Sequence, residues 1–262
     1  MLGDYADMHY EAGDYRKAFA IIEEVLEYAR QRSIRHRKLS TVLEPLAYEY
    51  LLAERLTESK ECYEQLEAIG WSTDFKMLEG RLRYAEVMVG LGDFSKAIQI
   101  LDQIDSTITP EDHISMATVL YLRSMCYRAG DKAEIADEFL RKANEHVVLD
   151  MREYRSAGVL QRYAVIQSEV GQWEQSESLM RRALEQAELG YPPLHPRIAD
   201  RQFDLAELLL RRGAFDEARS LATQASEIRQ VKLPENDVRI GRSVEQLRRI
   251  ESARNEPLNE QP

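Results

Sequence analysis

Gly13-Asp14-Tyr15-Arg16-Lys17-Ala18 returns as Gly92-Asp93-Phe94-Ser95-Lys96-Ala97, as Gly171-Gln172-Trp173-Glu174-Gln175-Ser176 and as Gly213-Ala214-Phe215-Asp216-Glu217-Ala218. The phrase is Gly, a small or polar residue, an aromatic, two polar residues, then Ala or Ser. Self-similarity at a period near forty residues is the mark of a solenoid, in which each unit covers what its neighbour leaves exposed. With Gly130 as a further anchor and Glu54 as a degenerate one, in Glu54-Arg55-Leu56-Thr57-Glu58-Ser59, the intervals are 41, 38, 38, 41 and 42 residues. That length suits two helices and two short connections.

The turn Gly has a physical reason. A helix ends well on a residue that takes positive φ, and Gly does so without a Cβ clash. Asp after Gly13, Gly92 and Gly130 can accept N–H bonds and start the next helix. Glu54 lacks the Gly advantage, so that turn must differ or carry strain. Seven residues before each anchor stands Ala6, Ala47, Ala85, Ala164 or Ala206, with Arg123 breaking the rule. Five residues after it stands Ala18, Ser59, Ala97, Ser176 or Ala218. The fourth unit fits only with one residue inserted after Gly130, which brings in Ala136. Small residues at both places let the two helices of a hairpin approach closely.

These residues resemble the tetratricopeptide repeat (TPR) superfamily over nearly the whole chain. The long units and the entry Leu194-His195-Pro196-Arg197-Ile198-Ala199 are most similar to the kinesin light chain-like subtype. The earlier units are similar as well to the helical signalling domains of large bacterial transcription activators. The fold expected is all-α: a right-handed α-solenoid of about six TPR-like hairpins plus a C-terminal capping helix, over 1–253, with a polar disordered tail at 254–262. First helices are expected near 2–12, 38–53, 73–90, 110–128, 151–170 and 196–212. Second helices are expected near 14–31, 56–69, 93–105, 132–147, 172–188 and 214–230. Thr109 and Ser72 are the expected caps of two first helices, with Pro110 at the first helical position. A last helix near 238–253 presents Val244, Leu247 and Ile250 to the stack. The N-terminal end shows no such cap. Either a preceding segment belongs there, or Leu2 and Tyr5 meet another chain in self-association.

Composition narrows the function. A net charge of -11 over 262 residues speaks against a general nucleic-acid binder. The basic run Arg30 to Lys38 reads either as a patch for an acidic partner or as a solvated linker. Cys62 and Cys126 sit in apolar helical patterns, as reduced core residues of a cytoplasmic protein do. No membrane span is evident. The five His are scattered without metal spacing, and no catalytic constellation stands out, so neither enzyme activity nor a cofactor is expected. Trp173 and Phe94 read as wedges between hairpin helices.

The resemblance implies that first helices line a concave groove, at positions thirteen, ten, nine and six before each anchor. These include Thr41, Glu44 and Tyr48; Glu79, Leu82, Arg83 and Glu86; Leu120 and Tyr121; Gln161 and Arg162; and Asp200, Asp204 and Glu207. A Lys–Asn clamp on a C-terminal carboxylate is not expected, because none of the four Asn lies on a first helix. The function expected is a non-catalytic scaffold for a peptide or protein. Its ligand would be acidic and aromatic beside Arg83 and Arg162, and basic beside Asp200, Asp204 and Glu207. The alternative is a regulatory module of a larger signalling protein, a transcription activator or kinase.

Overall fold

The structure is a computed structural model that describes residues 8–31, 39–71, 74–150 and 156–255. After a helical turn at 8–11 come α1 (Tyr15–Gln31), α2 (Ser40–Leu52), α3 (Leu56–Ile69), α4 (Asp74–Gly90) and α5 (Phe94–Asp105). Then follow α6 (His113–Ala129), α7 (Ala133–Leu149), α8 (Ala157–Glu169), α9 (Trp173–Gly190), α10 (Pro196–Arg211), α11 (Phe215–Lys232) and α12 (Val238–Asn255). No strand occurs among the described residues. Five full hairpins pair α2 with α3, α4 with α5, α6 with α7, α8 with α9 and α10 with α11; the turn at 8–11 and α1 begin the series, and α12 packs on α11. This is the α-solenoid that the repeat requires. Leu2, Tyr5, the seam residue Ala6, the basic run beyond Gln31, Ser72 and the tail from 256 lie outside the described residues.

Each hairpin turn is built alike. The anchor's N–H bonds the carbonyl three residues back, and the next N–H bonds the carbonyl five residues behind its own position, as in Gly92 to Val89 and Asp93 to Met88. Gly13, Gly92, Gly171 and Gly213 take φ of 73° to 77° there. Glu54 takes the same left-handed conformation at φ 55° without glycine's freedom, which is the strain expected of that turn. In the fourth unit the left-handed residue is Asp131, at φ 57°, while Gly130 stays at φ -92°. The anchor therefore moves one residue. Counted from Asp131, Ser124 takes the small position on α6 and Ala136 its partner on α7, both buried. The exception at Arg123 disappears, and Asp131 serves as the turn rather than as a cap.

The small positions form the hairpin seams. Ala47, Ala85, Ala164 and Ala206 have no exposed surface, nor do Ala18, Ser59, Ala97, Ala136, Ser176 and Ala218. Where the second position is Ser, its hydroxyl donates across the seam: Ser59 to the Ala47 carbonyl and Ser176 to the Ala164 carbonyl, both at 2.7 Å. Apolar residues around the seams merge into two large cores, one across α1–α6 and one across α6–α12, so that α6 belongs to both, while Ala199, Phe203, Ala225 and Ile228 form a small third cluster between α10 and α11.

Three expectations are corrected. The residues 109–112 form a turn, and α6 starts at His113 with the Asp112 side chain accepting from Ser115 N–H. The wedge expected at Trp173 is 37% exposed. In α12, Ile250 is buried and Leu247 half-buried, but Arg239, Ser243 and Gln246 are buried too.

Those polar residues mark the main departure from an open curved rod. The last helices return to the first hairpins. Arg16 on α1 donates to the carbonyls of Leu233 (2.6 Å) and Gln230 (2.7 Å) at the end of α11. His195, the N-cap of α10, lies against Gly13, where an added Cβ would stand 2.9 Å from its ring. Arg242 on α12 pairs with Glu54 at 2.8 Å. The first described hairpin is thus covered by the chain's own last one.

Candidate functional site: the enclosed inner wall

Because the ends meet, the concave face lines a central, half-open cavity of about 1010 Å³. It is lined mainly from first helices, among them Tyr48 on α2, Arg83 on α4, Gln161 and Arg162 on α8, and Arg197 and Arg201 on α10, with Tyr63 of α3 and Gln186 of α9 contributed by second helices. Helical spacing explains the choice. Residues on one face of each first helix turn inward, while the small seam positions, on another face, are covered by the second helix.

The wall is a network of shared charges. Tyr48 lies between two guanidiniums, Arg83 at 3.7 Å and Arg197 at 4.5 Å from its ring centre. Planar guanidinium stacks well on an aromatic face. Glu79 serves two arginines, Arg83 at 2.5 Å and Arg162 at 3.8 Å. Glu49, fully buried, also serves two: Arg197, and Arg239 at 3.1 Å. The Tyr10 hydroxyl donates to the same carboxylate at 2.9 Å. Glu49 therefore joins the first hairpins to α10 and α12 across the closure.

The predicted wall residues divide into groups. Tyr48, Arg83, Gln161 and Arg162 line the cavity together. Glu86 keeps its side chain in contact with solvent, yet protein surrounds it; that desolvation raises its carboxyl, against the pull of Arg162 and Arg83. Leu120 is buried and belongs to the second core, with Tyr121 packed against it; burial pushes the Tyr121 hydroxyl up to about 12. Asp200 and Glu207 are already held by the chain itself. Asp200 accepts from Arg229 at 2.9 Å, and Glu207 takes both ends of Arg249 at 2.9 and 3.1 Å. Burial alone would raise Asp200, but Arg229, Arg239, Arg197 and Arg201 outweigh it and hold the carboxyl down to about 2. Asp204 accepts from Gln161 and lies 3.6 Å from Arg201. Burial is the larger influence there, and it lifts the carboxyl to about 6 against the pull of Arg201.

Sequence reasoning misses Arg197, Arg201, Glu49 and Tyr10 as wall residues. One signal for Glu49 stands in the sequence: it is a lone carboxylate in the apolar run Leu46 to Leu52. It also separates all five His, whereas the structure brings His113 Nδ1 within 3.0 Å of His146 Nδ1 across the α6–α7 hairpin. Cys62 and Cys126 are buried and not joined in a disulfide, as expected of core residues.

Comparisons with known proteins agree with this architecture. The tetratricopeptide repeat family profile matches residues 156–230. By sequence, no curated protein matches the chain. Among solved structures, a thermophilic TPR protein of Thermus thermophilus is similar at 18% identity and a TM-score of 0.52, over 78% of this chain and 97% of that one. A Rap protein complexed with competence and sporulation factor is similar at 13% identity and a TM-score of 0.52, over 90% of this chain and 71% of that one. A putative kinesin light chain of Podosopora anserina with nearly identical TPR-like repeats aligns at 20% identity and a TM-score of 0.40, over 76% and 98%. No helix among the described residues is long and apolar enough to cross a membrane. Residues 156–230 carry tetratricopeptide repeats, and the chain as a whole has the helical-repeat fold of TPR proteins, a fold that typically serves protein–protein interaction.

Proposed function

We propose that this protein is a non-catalytic scaffold that holds a short extended segment of a partner protein in its central cavity. The observation that carries the reading is the inner wall itself: Tyr48 held between Arg83 and Arg197, with Arg162 facing the same space. Tyr and Arg contribute large contact area and planar hydrogen bonding at low entropic cost, and they dominate binding hot spots. The closed ends favour a thin segment over a folded domain, since a domain would need the ring to open.

The reading departs from the simplest sequence expectation at one end. Asp200 and Glu207 have their own arginines, so the basic half of the ligand loses its reason. Tyr48, Arg83, Glu86, Gln161, Arg162 and Asp204 remain the contact residues of the proposal.

The test is to pan a library of random short peptides on the purified protein and map the winners by hydrogen exchange. Binders should protect amides of α2, α4 and α8, and the double reversal Arg83→Glu with Arg162→Glu should abolish binding. Enrichment of peptides that protect only second helices, or indifference to the double reversal, would overturn the reading.

A second reading, a module that senses a ligand for a larger protein, is favoured by the closure between the first and last hairpins. A ligand that separated Glu49 from Arg197 and Arg239 would move the two ends apart, which is a signal a neighbouring domain could read.

A further inference from the structure

Arg201 is the most buried guanidinium of the wall, and its one ion pair is a loose one. It lines the cavity, and its side chain is only 6% exposed. Its Nη1 is buried without a hydrogen-bond partner, and the nearest carboxylate, Asp204, stands 3.6 Å away. Arg229, equally buried, leaves its Nε without a partner, yet its two terminal nitrogens donate to Asp200 at 2.9 Å and to Ser243 at 3.0 Å. A buried donor without an acceptor costs free energy comparable to a lost hydrogen bond, and more when it is charged.

The surroundings point the same way. Arg83 Nε and Arg197 Nη1, in the same wall, are likewise buried without a hydrogen-bond partner. Glu79 is divided between Arg83 and Arg162, and Glu49 between Arg197 and Arg239, so neither acid is committed to a single arginine. The nature of the missing acceptor follows from charge. Guanidinium forks match planar oxyanions. Glu79 and Glu44 line the same space and Asp204 stands beside Arg201, so a singly charged carboxylate meets about half the repulsion that a doubly charged phosphate would.

We propose that Arg201, with Arg83 and Arg162 lining the same cavity, receives an Asp or Glu side-chain carboxylate of an extended acidic peptide. The proposal rests on the reading of the cavity as a peptide site, and it names the chemistry that this site selects.

The test uses peptides panned on the full chain, then synthesised with amidated C-termini so that side chains offer the carboxylates. Fluorescence anisotropy compares each acidic peptide with its Asn or Gln counterpart on the natural protein, on Arg201→Gln and on Arg201→Lys. The expected result is an affinity loss of about tenfold when the acid becomes an amide, as a charge-assisted hydrogen bond implies. Arg201→Gln should bind both peptides within about twofold, and Arg201→Lys should keep part of the discrimination, since it retains the charge and loses the fork. Circular dichroism checks that both variants keep their helices; if Arg201→Gln does not, Arg201→Lys alone decides. Peptides that occupy the cavity without acid preference, or acid preference that survives Arg201→Gln, overturn this proposal and leave the peptide site standing. Failure of any peptide to occupy the cavity overturns both.

Discussion

Glu49→Gln removes the charge on which the closure turns. The Glu49 carboxylate has no exposed surface and receives Arg197, Arg239 and the Tyr10 hydroxyl. After the substitution Arg239 keeps Asp237 at 2.8 Å. Arg197 fares worse, because its next carboxylate is Asp200 at 3.8 Å, already committed to Arg229. Removing one partner of a buried ion pair costs about 3–5 kcal/mol. That is a large part of the 5–15 kcal/mol or so that holds a typical domain together. The loss falls first on the closure, since the paired residues lie 148 and 190 positions apart in the chain while each hairpin stacks on its neighbours. Circular dichroism should show helix content retained, chemical denaturation a lowered midpoint, and small-angle scattering a larger radius of gyration. Glu58→Gln is the control: its pair with Arg55 at 2.8 Å is exposed, so it should cost less than about 1 kcal/mol and leave the scattering unchanged. Adding Arg197→Met to Glu49→Gln should recover part of the loss by removing the stranded cation. The reasoning is refuted by a Glu49→Gln protein whose midpoint and scattering match the natural ones.

Three further outcomes follow from other parts of the structure. The His195 ring accepts the Arg197 N–H on Nδ1 and sets Nε2 toward the Tyr10 carbonyl at 3.3 Å, an arrangement that needs a neutral ring with the proton on Nε2. Burial depresses its pKa to about 4, so this contribution is complete above the unfolded value near 6.5 and falls by about 3 kcal/mol as pH drops from there through 4; denaturation midpoints at several pH values should show a shallower decline in His195→Asn. Asp131→Gly should stabilise by about 0.5–1 kcal/mol in thermal melting, because glycine removes the strain at φ 57°, whereas Gly171→Ala, at φ 77°, should destabilise by at least as much. Ser176→Ala should cost about 1 kcal/mol in denaturant midpoint, the value of the hydroxyl bond to the Ala164 carbonyl, with helix content unchanged.

What was legible in the sequence is what short-range physics decides. The hairpin boundaries follow from the turn glycines, and the seam follows from the paired small residues, because both depend on contacts within one unit. The fourth turn shows how narrow the margin is. Gly130 draws the anchor to itself, since glycine is the usual left-handed residue, and only Ala136 betrays that Asp131 occupies that conformation. The start of α6 slips for a similar reason: Pro110 suits a first helical position, yet Asp112 offers the better cap, and the helix waits for it.

The closure belongs to a different class of information. It results from small rotations between successive hairpins that add along the chain, and no local pattern records their sum. Its traces are charges in places where a solenoid should bury apolar groups: Glu49 among leucines, and Arg239 on the inner face of a capping helix. A buried charge demands a partner, and where a chain offers none nearby, a distant one must come to it. The same logic reassigns the inner wall. Asp200 and Glu207, which seem free to meet a basic ligand when first helices alone are considered, meet Arg229 and Arg249 once α11 and α12 return. Self-pairing at that end consumes those acids, and it is arginines, above all Arg201 on the same helix, whose Nη1 makes no hydrogen bond, that are left lining the cavity.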